Sequence, residues 1–141
     1  MPDSDHNTVL MADDDPEDCA FAEAALRESG AKATFSCVAD GIELMAYLSE
    51  RSRPEAKELP AVILLDLNMP KKDGRQALIE IKAEPALRHI PVVILTTSRQ
   101  ERDIQFAAGA GAESFITKPV TFDEWVEMMR SLSDRWLQVV R

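Results

Sequence analysis

Five short apolar runs, each separated from the next by a stretch of helical periodicity, leave this chain very few folds. The runs are Val9–Ala12, Thr34–Val38, Ala61–Leu65, Val92–Leu95 and Glu113–Thr117. Ala61-Val62-Ile63-Leu64-Leu65 is apolar at every position. A strand apolar on both faces belongs in the centre of a sheet, between two layers of helices.

The intervening stretches carry helix start and stop signals. Asp15 is placed to cap a helix, with Pro16 at its first position and Glu17 and Asp18 in its first turn. That helix is expected to run to about Ser29, to bury Phe21, Ala22, Ala25 and Leu26, and to stop at Gly30. Asp40-Gly41 opens a second helix with Ile42, Met45 and Leu48 inward, and the charged stretch 50–60 reads as a long loop. A third helix follows Gly74, with Ala77, Leu78 and Ile81 inward. The fourth covers about Gln100–Ala108, and the fifth about Phe122–Ser133 around Trp125, Val126, Met129 and Leu132. Strands and helices in strict alternation imply an α/β, doubly wound, five-stranded parallel sheet with five helices. Right-handed crossovers make the flavodoxin-like order 2-1-3-4-5 the leading topology.

Composition excludes several functions. The chain has 141 residues, enough for one domain with a core, and no apolar run near the ~20 residues of a membrane span. Sixteen basic against 25 acidic residues leave a net charge of −9, which disfavours direct nucleic-acid binding. Cys19 and Cys37 read as buried thiols of a reducing cytoplasm. His6 and His89 lie far apart, so a zinc site or histidine triad has little to build on. Residues 1–7 are expected to be a disordered tail and 8–134 the domain. Residues 135–141 are a C-terminal extension, in which Trp136, Leu137, Val139 and Val140 form an apolar terminal run. An exposed apolar run of this kind marks a partner surface, here a dimer contact.

Ligands of a doubly wound sheet bind beyond the carboxyl ends of its strands. Those ends carry Asp13 and Asp14, Asp66, Thr96 and Lys118. Three carboxylates in one place repel: two unit charges ~4 Å apart cost about 4 kcal/mol at an effective dielectric near 20. The cluster needs a cation, and Mg²⁺ suits because it accepts carboxylates, a carbonyl, waters and phosphate oxygens together. A carboxylate facing Mg²⁺ and a lysine suits phosphoryl transfer, which asks for positioning and charge neutralisation. Thr96 offers a hydroxyl to a phosphoryl oxygen. Its neighbours Thr97 and Ser98 leave the register open by one, and spacing from Pro91 and Lys118 selects Thr96. Pro119 restricts Lys118 to an extended backbone and permits a cis bond. Lys71 and Lys72 read as solvated loop charges.

The acidic pair Asp13-Asp14, the segment LLDLNMP with Asp66, Thr96 after VVIL, and Lys118-Pro119 come in one order and at compatible spacings. In these features the chain resembles response-regulator receiver domains of the chemotaxis type, over about residues 8–134. The resemblance implies that a histidine kinase phosphorylates Asp66. It implies that Asp14 and Asp66 bind Mg²⁺ directly, Asp13 mostly through water, and Asn68 through its backbone carbonyl. Lys118 would pair with the phosphate, and Phe115 would be the aromatic switch. LLDLNMPKKDGR, PVVILTTS, the long loop before the third strand and the terminal WLQVV further resemble the regulators partnered with bacterial phytochromes, in which the C-terminal extension helps to form homodimers. The chain is thus expected to be a cytoplasmic phosphoacceptor and not an enzyme with a separate substrate. With no effector domain expected after residue 141, output would pass to a protein partner or by relay to another phosphotransfer protein.

Two other readings compete. A Mg²⁺-dependent phosphohydrolase of the haloacid-dehalogenase kind also forms an aspartyl phosphate. It needs a second carboxylate two residues after its nucleophile, where this chain has Asn68. A pure interaction module would have a degenerate pocket, whereas all five elements are present here.

Overall fold

The computed structural model describes residues 7–53, 59–69 and 71–137. Strands and helices alternate throughout: β1 (Thr8–Ala12), α1 (Pro16–Glu28), β2 (Thr34–Val38), α2 (Gly41–Arg51), β3 (Val62–Leu65), α3 (Gly74–Ala83), β4 (Val92–Thr96), α4 (Glu101–Gly109), β5 (Ser114–Thr117) and α5 (Phe122–Trp136). The five strands form one parallel sheet in the order β2-β1-β3-β4-β5. The topology is the one expected from the sequence.

Side-chain alternation divides the core into two halves. Val9, Met11, Val62, Leu64, Val93 and Leu95 face α1 and α5, where Ala22, Ala25, Leu26, Trp125, Met129 and Leu132 cover them. Leu10, Ala12, Ile63, Leu65 and Ile94 face the other way, under Leu44 and Leu48 of α2 and Ala77, Leu78 and Ile81 of α3. Each large aliphatic side chain buried in this way contributes roughly 1.5–3 kcal/mol. The two-sided apolar character of β3 is the consequence of having both layers to fill.

Side-chain caps fix where α1, α2, α3 and α5 begin, and therefore the loops that lead into them at the carboxyl end of the sheet. Asp15 accepts from Glu17 N–H ahead of Pro16, Asp40 from Glu43 N–H and Asp73 from Arg75 N–H. Thr121 and Glu124 form a reciprocal capping box at α5.

Several expectations are corrected. Phe21 and Ile42 are 47% and 55% exposed. The inward stripe of α1 is Ala22, Ala25 and Leu26, and that of α2 is Gly41, Leu44 and Leu48. The α1 stripe is the expected one without Phe21, and the α2 stripe keeps Leu48 but otherwise lies one residue before the expected face. Asn7 is no part of a disordered tail: it is buried, its Nδ2 donates to Lys32 O at 3.1 Å, and its carbonyl accepts from Thr34 N at 2.9 Å. Residues 1–6 lie outside the described residues.

Cys19 and Cys37 are joined in a disulfide, and Cys37 is exposed, so the pair are not buried free thiols. Parallel pairing of Met11 with Cys37 sets β2 beside β1, and the first turns of α1 fold back over that edge. The two Cα atoms end 6.4 Å apart, within bridging range. Among the described residues every peptide bond is trans, including Lys118–Pro119. Lys71 is a largely exposed charge 3.5 Å from Asp40, but Lys72 is only 27% exposed and pairs with Glu80 at 2.7 Å, so it is not simply a solvated charge.

At the C-terminus, Leu137 is buried in the α1–α5 half of the core and Trp136 packs against the same cluster. Leu137 is therefore covered by its own domain and is not the free contact surface expected of it. Val139 and Val140 lie outside the described residues. Among the described residues no helix is long and apolar enough to cross a membrane.

Candidate functional site

The strand register brings distant residues to one end of the sheet. Ala12 pairs with Leu65, Leu65 with Ile94, and Thr96 with Thr117. Asp13 and Asp66 therefore leave adjacent strands one residue past a matched pair, and Lys118 leaves β5 beside the end of β4. Backbone hydrogen bonds hold these exits: Asp13 N donates to Val38 O at 2.9 Å, Asp66 N to Ala12 O at 3.0 Å, and Lys118 N to Thr96 O at 2.9 Å.

Carboxylate oxygens of Asp13, Asp14 and Asp66 lie within 4.8 Å of one another, Asp13 and Asp66 buried and Asp14 exposed. Lys118 Nζ is the countercharge, 2.7 Å from Asp13 Oδ2, 2.8 Å from Asp18 Oδ2 and 3.3 Å from Asp66 Oδ2. Burial works against the charge of Lys118, but its close contacts with the carboxylates of Asp13 and Asp18 and the charge of Asp66 outweigh it, and its pKa lies above the ordinary lysine range. Burial also dominates at Asp13, whose pKa is raised despite the contact with Lys118. One ammonium thus faces the carboxylates of Asp13, Asp18 and Asp66, with Asp14 beside them.

That imbalance is where a divalent cation fits. The Lys118 contact with Asp13 Oδ2 is an ion pair outside hydrogen-bond geometry, so this buried oxygen lacks an aligned donor. Three carboxylates, one of them open to solvent, are the hard oxygen donors that a small divalent ion takes together with water. Asn68 is exposed, and its N–H donates to Asp66 Oδ1 at 3.1 Å.

Thr96 is the last residue of β4 and fully buried, whereas Thr97 is exposed. Ser98 N lies 3.5 Å from Thr96 Oγ1. Phe115 is half-buried on β5 and packs against the same half of the core as Ala107 of α4. Gly74 closes the loop after β3: its N–H donates to Leu67 O at 3.1 Å, and a Cβ there would collide with the carbonyl oxygen of Asp66. Only glycine lets α3 start this close to the backbone of Asp66.

Two features were not visible in the sequence. Asp18 reads there as a favourable charge in the first turn of α1, yet it pairs with Lys118 across 100 residues. Arg75 Nη2 donates to Asp103 Oδ1 at 2.9 Å and Ser98 Oγ donates to Asp103 Oδ2 at 2.6 Å. This partly buried bridge ties the loop after β4 to α3 and α4. The hydrogen bonds from Ser98 and then Arg75 hold the Asp103 carboxyl below the usual carboxylate range. A lone Asp on a helix carries no sequence signal for such a role.

The chain is similar to known proteins over nearly its whole described length. The response regulator receiver domain family matches residues 9–130. Response regulator Rcp1 of Synechocystis sp. is 35% identical over 132 residues, covering 94% of this chain and 90% of Rcp1. The crystal structure of the phosphorylated cyanobacterial phytochrome response regulator RcpA superposes with a TM-score of 0.82 at 34% identity, over 96% of this chain and 97% of that one. The Mn²⁺-bound form of Rcp1 gives 0.81 at 33% identity, over 96% and 97%. The chain belongs to the response regulator receiver domain family and is related to the cyanobacterial phytochrome response regulators.

Proposed function

We propose that this protein is a phosphoryl acceptor in two-component signalling and that Asp66 is the residue phosphorylated. The observation that carries the reading is the convergence of Lys118 on Asp66 and Asp13, at 3.3 and 2.7 Å, beside a cluster of three carboxylates. An oxygen of Asp66 attacks the phosphorus of a phosphohistidine. The P–O bond forms, the P–N bond breaks, and the departing imidazole takes up a proton. The protein contributes alignment and charge, which is most of what phosphoryl transfer requires. Mg²⁺ held by Asp13, Asp14, Asp66 and the carbonyl of Asn68 would neutralise charge on the phosphoryl oxygens. Lys118 supplies a second positive charge and Thr96 a hydroxyl donor. Water attack on the acyl phosphate resets the site, so the domain catalyses its own phosphorylation and dephosphorylation without a separate substrate.

The donor is a sensor histidine kinase, assigned to the phytochrome type on the similarity to Rcp1 and RcpA. Thr96 and Lys118 turn to the new phosphoryl group, Phe115 reorients, and the face of α4, β5 and α5 changes its binding properties. Output passes from that face to a protein target, or the phosphoryl group moves on to another phosphotransfer protein. The C-terminal extension from Trp136 onward is the assigned homodimer contact, with Leu137 left to its own core.

Incubation with a radiolabelled phospho-kinase in the presence of Mg²⁺ tests the assignment. Wild type is expected to take up label that Asp66→Asn does not. Label retained by Asp66→Asn at the wild-type level would remove Asp66 from this role.

A further inference from the structure

We propose that Asp18 is a positioning residue for phosphoryl transfer: it holds the Lys118 ammonium while Asp13 and Asp66 serve a cation, and releases it to the phosphoryl group on Asp66. The inference rests on the phosphoacceptor reading above. Its basis is a difference among the three partners of one ammonium. Lys118 Nζ contacts Asp13, Asp18 and Asp66, but only Asp13 and Asp66 belong with Asp14 to the cluster whose oxygens lie within 4.8 Å. A lysine ammonium has three N–H donors, so all three contacts can coexist only while no other cation claims the carboxylates. A divalent ion in the cluster draws on Asp13 and Asp66, and Asp18 then remains as the carboxylate partner of Lys118.

The geometry suits a holding role. The 2.8 Å contact with Asp18 is a hydrogen bond and is shorter than the 3.3 Å bond to Asp66. Asp18 sits in the first turn of α1, behind the Asp15 cap and Pro16, so the backbone that carries it is fixed. Its side chain is 22% exposed against 10% for Lys118, placing Asp18 toward the rim and Lys118 inside. An incoming phosphoryl group must compete with Asp18 for the ammonium. Asp18 therefore tunes how strongly the pocket favours a cation over an anion.

The test uses the full chain, Mg²⁺ and beryllofluoride, with binding followed by NMR shifts and calorimetry. Asp18→Asn is expected to bind beryllofluoride at saturating Mg²⁺ about five- to tenfold more tightly than wild type, and Mg²⁺ alone more weakly, because Lys118 then leans on Asp13 and Asp66. Asp18→Glu is expected to restore values near wild type. Opposite signs for the anion and the cation would not arise from a loss of packing. Glu17→Gln, which removes a neighbouring exposed carboxylate, is expected to leave both affinities unchanged. Unchanged or weaker beryllofluoride binding in Asp18→Asn, with wild type binding normally, overturns the proposal. An equal effect from Glu17→Gln does so too, since the cause would then be diffuse charge. Failure of wild type itself to bind beryllofluoride overturns instead the phosphoacceptor reading beneath it.

Discussion

Lys118 Nζ lies 3.3 Å from Asp66 Oδ2, joining residues 52 apart in the chain at the point where β3 and β5 end. Lys118 is also the countercharge of Asp13 and Asp18. Replacing it by methionine leaves three carboxylates without their shared cation. Removing one partner of a buried charge set costs roughly 3 kcal/mol or more. Urea unfolding of Lys118→Met is expected to show a loss of that order in the presence of a chelator, with part of it recovered by millimolar Mg²⁺. Equal stability to wild type without Mg²⁺ would mean that the lysine does not neutralise the pocket.

The Asp103 bridge predicts a pH signature. Its pKa is held down by Ser98 and Arg75, so it lies below the value in the unfolded chain. A depressed carboxylate contributes stability that is fully present above the ordinary carboxylate value and is lost as pH falls through the folded-state value. The stability difference between wild type and Asp103→Asn is therefore expected to be largest near neutral pH and to shrink on acidification. Parallel stability–pH curves for the two proteins would rule the bridge out as a stabilising element.

Gly74 predicts a local effect on the site. A methyl group at this position meets the Asp66 carbonyl and the Leu67 backbone. Overpacking against backbone costs about 1–3 kcal/mol. Gly74→Ala is expected to lower the thermal midpoint and to weaken beryllofluoride binding, because relief of the clash displaces Asp66. Gly109, which has open space around its would-be Cβ, is the control position: Gly109→Ala should leave beryllofluoride binding as it is.

The cysteine pair predicts a redox effect on stability. A crosslink between residues 18 apart restricts the unfolded chain by about 3 kcal/mol in the chain-entropy view. Thiol titration in denaturant is expected to find no free thiol before reduction and two after it. The double variant Cys19→Ser, Cys37→Ser is expected to unfold at lower denaturant concentration than the oxidised wild type. Two reactive thiols in protein purified without reductant would contradict the bridge.

Local sequence alone determined the element order, the parallel sheet and the convergence of Asp13, Asp14, Asp66 and Lys118 at the strand ends. These were legible because strand and helix periods are short-range properties, and because a doubly wound sheet exposes its strand ends at one place. Helix phase was less legible: Phe21 and Ile42 are apolar yet face solvent, since one residue's rotation about a helix moves a side chain by about 100°. Only the tertiary structure decided the pairing of Asp18 with Lys118, the Arg75–Asp103–Ser98 bridge, the Cys19–Cys37 bond and the burial of Leu137. Each joins segments whose separation in the chain carries no periodic signal. Their distances are set by how α1, α3, α4 and α5 seat on the sheet, and packing geometry of that kind is a property of the assembled layers.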